Sequence, residues 1–212
     1  MVQSWNWPAV RMALVRIPLE PSLLRPNLVA RTLAEIDWTA LRKNNPQLTH
    51  VVFDKDNTLT APYVETLHER VEESTRRCID LFGAERVAIL SNSAGTLDDK
   101  DLQWKEAIER NTGIRVIVHK QKKPACLAEV LGHFDASCEK DGVLEPLQPN
   151  AVLMVGDRLL TDTVFGNASG MTTLHLSETL ELKGDNKLAV VLRRMENLLL
   201  RAMGVDVAGK ET

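Results

Sequence analysis

Five short apolar runs, separated by segments of helical pattern, constrain this chain more than any other feature. They are "THVVF" (49–53), "RVAIL" (86–90), "IRVIVH" (114–119), "AVLMVG" (151–156) and "TTLHL" (172–176). Between and after them, helical patterns run through 64–83, 98–113, 124–138, a short stretch near 160–170, and 186–204. Val/Ile/Leu runs that alternate with helices imply parallel strands buried on both faces and joined by right-handed crossovers. The expected fold is therefore α/β: a Rossmann-like, five-stranded parallel sheet with helices on both faces. A chain of 212 residues suits one domain of this kind. The expected organisation is a helical arm over 1–47, the α/β core over 48–204, and a frayed tail over 205–212. There is no internal repeat.

Composition removes several function classes. A net charge of −3, without a basic track interleaved with aromatics, argues against nucleic acid as a partner. The three cysteines, Cys78, Cys126 and Cys138, form no CxxC pair and read as small buried apolar residues. None has Arg six positions later, so a cysteine-nucleophile phosphatase loop is absent. No apolar run is long enough to cross a bilayer. The first thirty residues do differ from the rest: Val10, Ala13, Leu14 and Ile17 follow helical spacing, while Trp5, Trp7, Arg11 and Arg16 suit a membrane interface. Packing of this arm on its own domain, or a targeting role, explains the same pattern.

In a parallel sheet of this type, ligands bind beyond the carboxyl ends of the strands. The residues just after each run are therefore informative. The first run ends in Asp54-Lys55-Asp56-Asn57-Thr58 and the second in Ser91-Asn92-Ser93. "KQKKP" (120–124) comes after the third, and Gly156-Asp157-Arg158 with Asp162 after the fourth. This set suits phosphoryl transfer. Residues two apart in an extended segment share a side, so Asp54 and Asp56 can face one reacting group. One carboxylate can be the nucleophile and its neighbour the proton donor and acceptor. Two carboxylates facing a phosphate require a cation between them, and hard oxygen ligands favour Mg²⁺. Asp157 and Asp162 would complete that shell, while Ser91 and Lys123 would neutralise the phosphoryl oxygens.

Each piece also has a plainer reading. A lone DxD is common on loops, Ser91-Asn92 could cap a helix, "KQKK" could be a solvated turn, and Asp157 and Asp162 could cap the following helix. The order of all four after successive strands is what carries the specificity.

Those residues resemble a known superfamily. "DKDNTLT", "SNS", the Lys of "KKP" and "GDRLLTD" look like the four motifs of haloacid dehalogenase-like phosphatases, over residues 48 to 176. More narrowly, "FDKDNTLTAPY", "SNSAG", "TGIRVIVHKQKKPAC" and "VGDRLLTDTVFGN", with "PSLLRPNLVA" upstream, are similar to the mitochondrial phosphatidylglycerophosphate phosphatases. The resemblance implies hydrolysis of phosphatidylglycerophosphate to phosphatidylglycerol, in cardiolipin synthesis at the matrix face of the mitochondrial inner membrane. It implies Asp54 as nucleophile and metal ligand, and Asp56 as general acid/base whose main-chain carbonyl reaches the metal. Thr58 would support that acid. Ser91, Asn92 and Lys123 would bind substrate, Asp157 would be a metal ligand, and Asp162 would support the Mg²⁺ site.

Cap domains in that superfamily insert near the first motif or after the third strand. Here the first segment is a short loop and the second one helix and a turn, so a capless, open site is expected. Such a site suits a phospholipid presented at a membrane surface by peripheral contact. Lys55 and Arg158, each next to a catalytic acid, would either bind the lipid's phosphodiester or pair with nearby acids. A phosphatase on a phosphoprotein or nucleic-acid end, and a receiver-like phospho-accepting module, are the competing readings. A receiver would not need Asp56. Oligomeric state is not legible.

Overall fold

The computed structural model describes residues 11–138, 146–181 and 187–205. Trp5, Trp7 and Val10 lie outside these residues, as does nearly all of the expected tail.

The sheet is parallel and α/β as expected, but it has six strands, not five. In chain order they are β1 (Leu28–Ala30), β2 (His50–Phe53), β3 (Val87–Ile89), β4 (Arg115–Val116), β5 (Val152–Gly156) and β6 (Thr172–Leu176). The spatial order is β1-β6-β5-β2-β3-β4. The additional strand comes from within the segment expected as a helical arm, and Leu28, Val29 and Ala30 pair with Leu174, His175 and Leu176. Three residues with a proline upstream have too little pattern to be distinguished from a loop in the sequence. Side-chain hydrogen bonds secure this edge: Asn27 Oδ1 accepts from the Thr173 backbone N–H at 2.8 Å, and Asn27 N–H donates to Thr173 Oγ1 at 3.0 Å.

Strand alternation divides the core into two layers. Val51, Phe53, Val87, Ile89, Leu153 and Val155 face one cluster; Val52, Ala88, Leu90, Val152 and Met154 face the other. The first layer is covered by α1 (Trp38–Asn44), α2 (Glu69–Phe82) and α3 (Gln103–Thr112), through Trp38, Val71, Cys78, Phe82 and Ile108. The second is covered by α4 (Leu127–Cys138) and α5 (Val164–Ala168), through Val130, Phe134 and Phe165. Trp38 meets Phe53 edge-on with ring centroids 5.9 Å apart, and its indole N–H donates to Ser74 Oγ at 2.9 Å. A third, smaller cluster joins Leu24, Leu159, Val164 and Leu200 with Met12, Ile17 and Met203. It brings the N-terminal arm against α6 (Lys187–Ala202).

Two elements start later or stop earlier than their sequence pattern indicates. The second helix begins at Glu69 and not near Val64, with His68 Nδ1 capping Arg70 N–H at 3.2 Å. The Val64 carbonyl is engaged by Lys55 Nζ at 2.9 Å, so it is diverted from a helical ladder. Strand β4 stops at Val116 because the chain turns inward, where His119 N–H donates to the Gly95 carbonyl at 2.9 Å. Among the described residues, the stretches after β2 and β4 hold no inserted cap.

The order places β2 beside β5, and the chain leaves β2 toward β3 but leaves β5 toward β6, at opposite edges of the sheet. That is the switch point at which parallel sheets open a crevice beyond their strand ends.

His175 on β6 is fully buried, and burial lowers its imidazole to about 4; His50 on β2 is likewise lowered to about 4 by burial and by Arg86. As pH falls from about 6.5 toward 4, the unfolded chain takes up protons that these folded-state histidines refuse. The contribution of these histidines to stability is therefore expected to fall across that window, by about 3 kcal/mol for each, against the opposite trend of any buried acid raised in the folded state. Urea unfolding at pH 7 and pH 4.5 checks it, and His175→Gln should remove roughly half of that contribution.

Candidate active site

Asp54 stands one residue past β2, held in the ladder by its backbone N–H, which donates to the Val155 carbonyl at 2.8 Å. The neighbouring strand β5 ends in Gly156, and Asp157 comes next. The chain then enters a turn of π-helix, Leu159–Thr163, that carries Asp162. Asp54, Asp157 and Asp162 are all buried, and one oxygen from each lies within 4.8 Å of the others. Glycine is required beside them: a Cβ on Gly156 would collide with the Asp162 carboxylate.

Three carboxylates at this spacing repel, so cations must be present. Lys123 Nζ donates to Asp54 Oδ1 at 2.5 Å and to Asp162 Oδ1 at 2.6 Å, with the lysine 0% exposed. Burial alone would lower that ammonium, but Asp162 and Asp54 outweigh it and hold Lys123 above the usual lysine range. The second cation is Arg193 from α6, whose Nε donates to Asp157 Oδ2. Burial raises Asp54, and it raises Asp157 well above the usual carboxylate range, with Lys123 and Arg193 opposing. Three carboxylates against two cations leave one formal negative charge in this group.

The other Asp157 oxygen, Oδ1, is buried and has no hydrogen-bond partner among the described residues. An orphaned carboxylate oxygen, beside two more carboxylates and a residual negative charge, fits a divalent cation.

The remaining expected residues fall around this centre in distinct roles. Asp56 lines a small cleft with Tyr63, Glu65 and Trp104, and its carboxylate is not one of the three that converge. Its Oδ1 accepts from Lys55 Nζ at 2.6 Å and from Tyr63 N–H at 3.0 Å. Thr58 is buried, and its hydroxyl makes no hydrogen bond among the described residues; Lys55 and Tyr63 support Asp56 in its place. Ser91 comes after β3, next to Asp54 because Leu90 N–H donates to the Phe53 carbonyl at 2.8 Å. The Ser91 hydroxyl accepts from Ser93 and Ala94 N–H at 3.2 and 3.3 Å, a local turn-forming role like the cap its sequence suggested. Asn92 Oδ1 accepts from Lys123 N–H at 3.2 Å, so it tethers the lysine's backbone.

Asp162 divides its two oxygens between the chain and the lysine. Its Oδ2 accepts from the upstream Arg158 N–H at 3.1 Å, from within the π-turn and not as its N-cap, while Oδ1 holds Lys123. Lys55 and Arg158 resolve toward pairing with acids. Arg158 Nε donates to Glu196 Oε2 at 3.1 Å, and Glu196 also accepts from the Leu159 and Leu160 N–H groups.

Residues 9–181 match the family described as mitochondrial PGP phosphatase. The chain belongs to that family. It is 38% identical to the chloroplastic/mitochondrial phosphatidylglycerophosphate phosphatase 1 of Arabidopsis thaliana, over 83% of this chain and 47% of that protein. It is 37% identical to the chloroplastic phosphatidylglycerophosphate phosphatase 1 of Chlamydomonas reinhardtii, over 92% of this chain and 67% of that protein. A mitochondrial phosphatidylglycerophosphatase of Saccharomyces cerevisiae is 28% identical over 87% of this chain and 94% of its own length. The chain thus spans about half the length of the Arabidopsis relative.

Several residues that build this PGP phosphatase family site carried no legible signal. Arg193 and Glu196 lie in "LRRMENLLLR", which reads as a charged outer helix face, yet both are buried, Arg193 against Asp157 and Glu196 against Arg158. His119 bridges the loops, its Nε2 2.8 Å from the Ser91 carbonyl and its Nδ1 2.5 Å from that of Gln121. Asp99 caps three N–H groups, those of Gly95, Trp104 and Lys105, each at 2.9 Å. Gly95, at φ +75°, lies where a Cβ would be 2.6 Å from the Ile117 carbonyl. Gly-x-x-x-Asp is too common a spacing for sequence alone to single it out.

Lys123→Met would leave Asp54 and Asp162 facing each other without their shared ammonium. The expected cost at pH 7 is about 3–5 kcal/mol in urea denaturation. The deficit should shrink as pH falls, because the crowded acids then take up protons, and added Mg²⁺ should restore part of it.

Proposed function

We propose that this chain is a Mg²⁺-dependent phosphatidylglycerophosphatase that releases phosphate from phosphatidylglycerophosphate by way of an aspartyl-phosphate on Asp54. The observation that carries this reading is the convergence of Asp54, Asp157 and Asp162 around buried Lys123, in a family whose relatives are named for this activity. One buried oxygen of Asp157 remains for a cation to engage.

In the first step an Asp54 oxygen attacks phosphorus, the bond from phosphorus to the glycerol oxygen breaks, and Asp56 protonates that oxygen. In the second, Asp56 takes a proton from water as the water attacks the aspartyl-phosphate. Inorganic phosphate leaves and the Asp54 carboxylate is regenerated. Lys123 and the Ser91 hydroxyl balance the phosphoryl charge in both steps, and Lys55 holds Asp56 on the approach side. Asp54, Asp157 and Asp162 would hold Mg²⁺ with the Asp56 carbonyl, and the ion supplies charge neutralisation between carboxylates and phosphate.

The absence of a cap among the described residues suits a substrate whose bulk stays in a membrane. We assign the protein to peripheral contact with the membrane that carries this lipid, the matrix face of the mitochondrial inner membrane. Among the described residues, no helix is long and apolar enough to cross a membrane.

Asp54→Asn should lower phosphate release by about a thousandfold or more while leaving the circular dichroism spectrum unchanged. The assay is phosphate release from phosphatidylglycerophosphate in detergent micelles, beside soluble aryl phosphate, with and without Mg²⁺. Retained turnover in the Asn variant would overturn the nucleophile, and activity without a divalent cation would overturn the metal assignment.

A further inference from the structure

We infer that the outward face of α6, together with the arm residues Leu14, Val15 and Leu19, is a docking surface for an anionic phospholipid bilayer. The inference rests on the lipid-phosphatase reading above and adds which surface meets the membrane.

The helix has two opposed faces. At 100° per residue, Arg193, Glu196 and Leu200 share the buried side, where they engage Asp157, Arg158 and the third apolar cluster. Val191, Met195 and Leu198 lie on the opposite side and are 51%, 60% and 64% exposed, with Leu199, 40% exposed, on one flank. Ala202 continues this stripe, and exposed Arg194 and Arg201 flank it along one edge. The arm packs on the same cluster through Met12 and Ile17, yet turns Leu14 and Leu19 outward at 74% and 77% exposure.

An apolar stripe of this extent on an isolated chain implies a partner. Its chemistry favours lipid over protein. Among the described residues the exposed groups of this face are aliphatic or thioether, without the aromatic anchors that dominate protein interfaces. The flanking charge is basic: Arg11, Arg16, Arg194 and Arg201 are exposed, and against them stands Glu20, paired with Arg16 at 3.5 Å. Aliphatic residues flanked by arginine on one helix side match the layering of acyl chains beneath anionic headgroups. An α-helix is about 10–12 Å across, so a bilayer against the outer face lies about one helix width from the residues that touch the carboxylate group.

The test is co-sedimentation of the full chain with phosphatidylcholine vesicles, with and without phosphatidylglycerol. The wild-type chain should pellet with the anionic vesicles. Met195→Glu with Leu198→Glu should reduce partitioning by about tenfold or more, with soluble aryl phosphate turnover unchanged. Arg194→Glu with Arg201→Glu should abolish the preference for phosphatidylglycerol. Wild-type-like sedimentation of the Met195/Leu198 variant would overturn the inference. So would a wild-type dimer in size exclusion that this variant splits, without vesicle binding, since the face would then join two copies. Failure of the wild-type chain to hydrolyse detergent-dispersed phosphatidylglycerophosphate would instead strike the proposed activity, independently of the vesicle result.

Discussion

One ammonium group buried among carboxylates organises this protein. Lys123 has no solvent to stabilise its charge, so it depends on Asp54 and Asp162, which come from different strand ends. A buried charge that loses its partner is far more costly than an exposed pair, so everything that positions Lys123 is under strong constraint. That explains the density of bonds in the loops around it. Asn92 holds the lysine's own N–H, His119 bridges to Ser91, and Lys122 pairs with Asp98 at 2.6 Å. Of the segment that reads as a solvated basic turn, Lys120 and Gln121 are exposed, while Lys122 and Lys123 are held by acids.

The same arrangement leaves an imbalance that chemistry can use. Three carboxylates crowd together, and burial raises Asp54 and Asp157 above their ordinary range. A structure selected only for stability would have replaced one of them. Keeping all three leaves a crowded acidic group whose electrostatics a divalent cation would improve. Asp56 is held outside that trio by Lys55 and the Tyr63 N–H. The C-terminal helix completes the design: Arg193 and Glu196 brace the Asp157–Leu160 segment from outside the sheet.

Local pattern along the chain was enough to establish the α/β class, the parallel sheet and the residues that gather at its carboxyl edge. Buried parallel strands leave continuous Val/Ile/Leu runs, and sheet topology forces the residues after each strand to one rim. The same pattern contained both possibilities for Lys55 and Arg158 without the means to choose. Folding in three dimensions made those choices, since pairing depends on partners as remote as Glu196, which is 38 residues from Arg158. The edge strand Leu28–Ala30 and the inward turn of Arg193 and Glu196 are likewise tertiary outcomes. A three-residue strand has no period of its own, and an amphipathic helix with charges on both sides does not declare which side is buried. Long-range contact supplies that information, and local pattern cannot encode it.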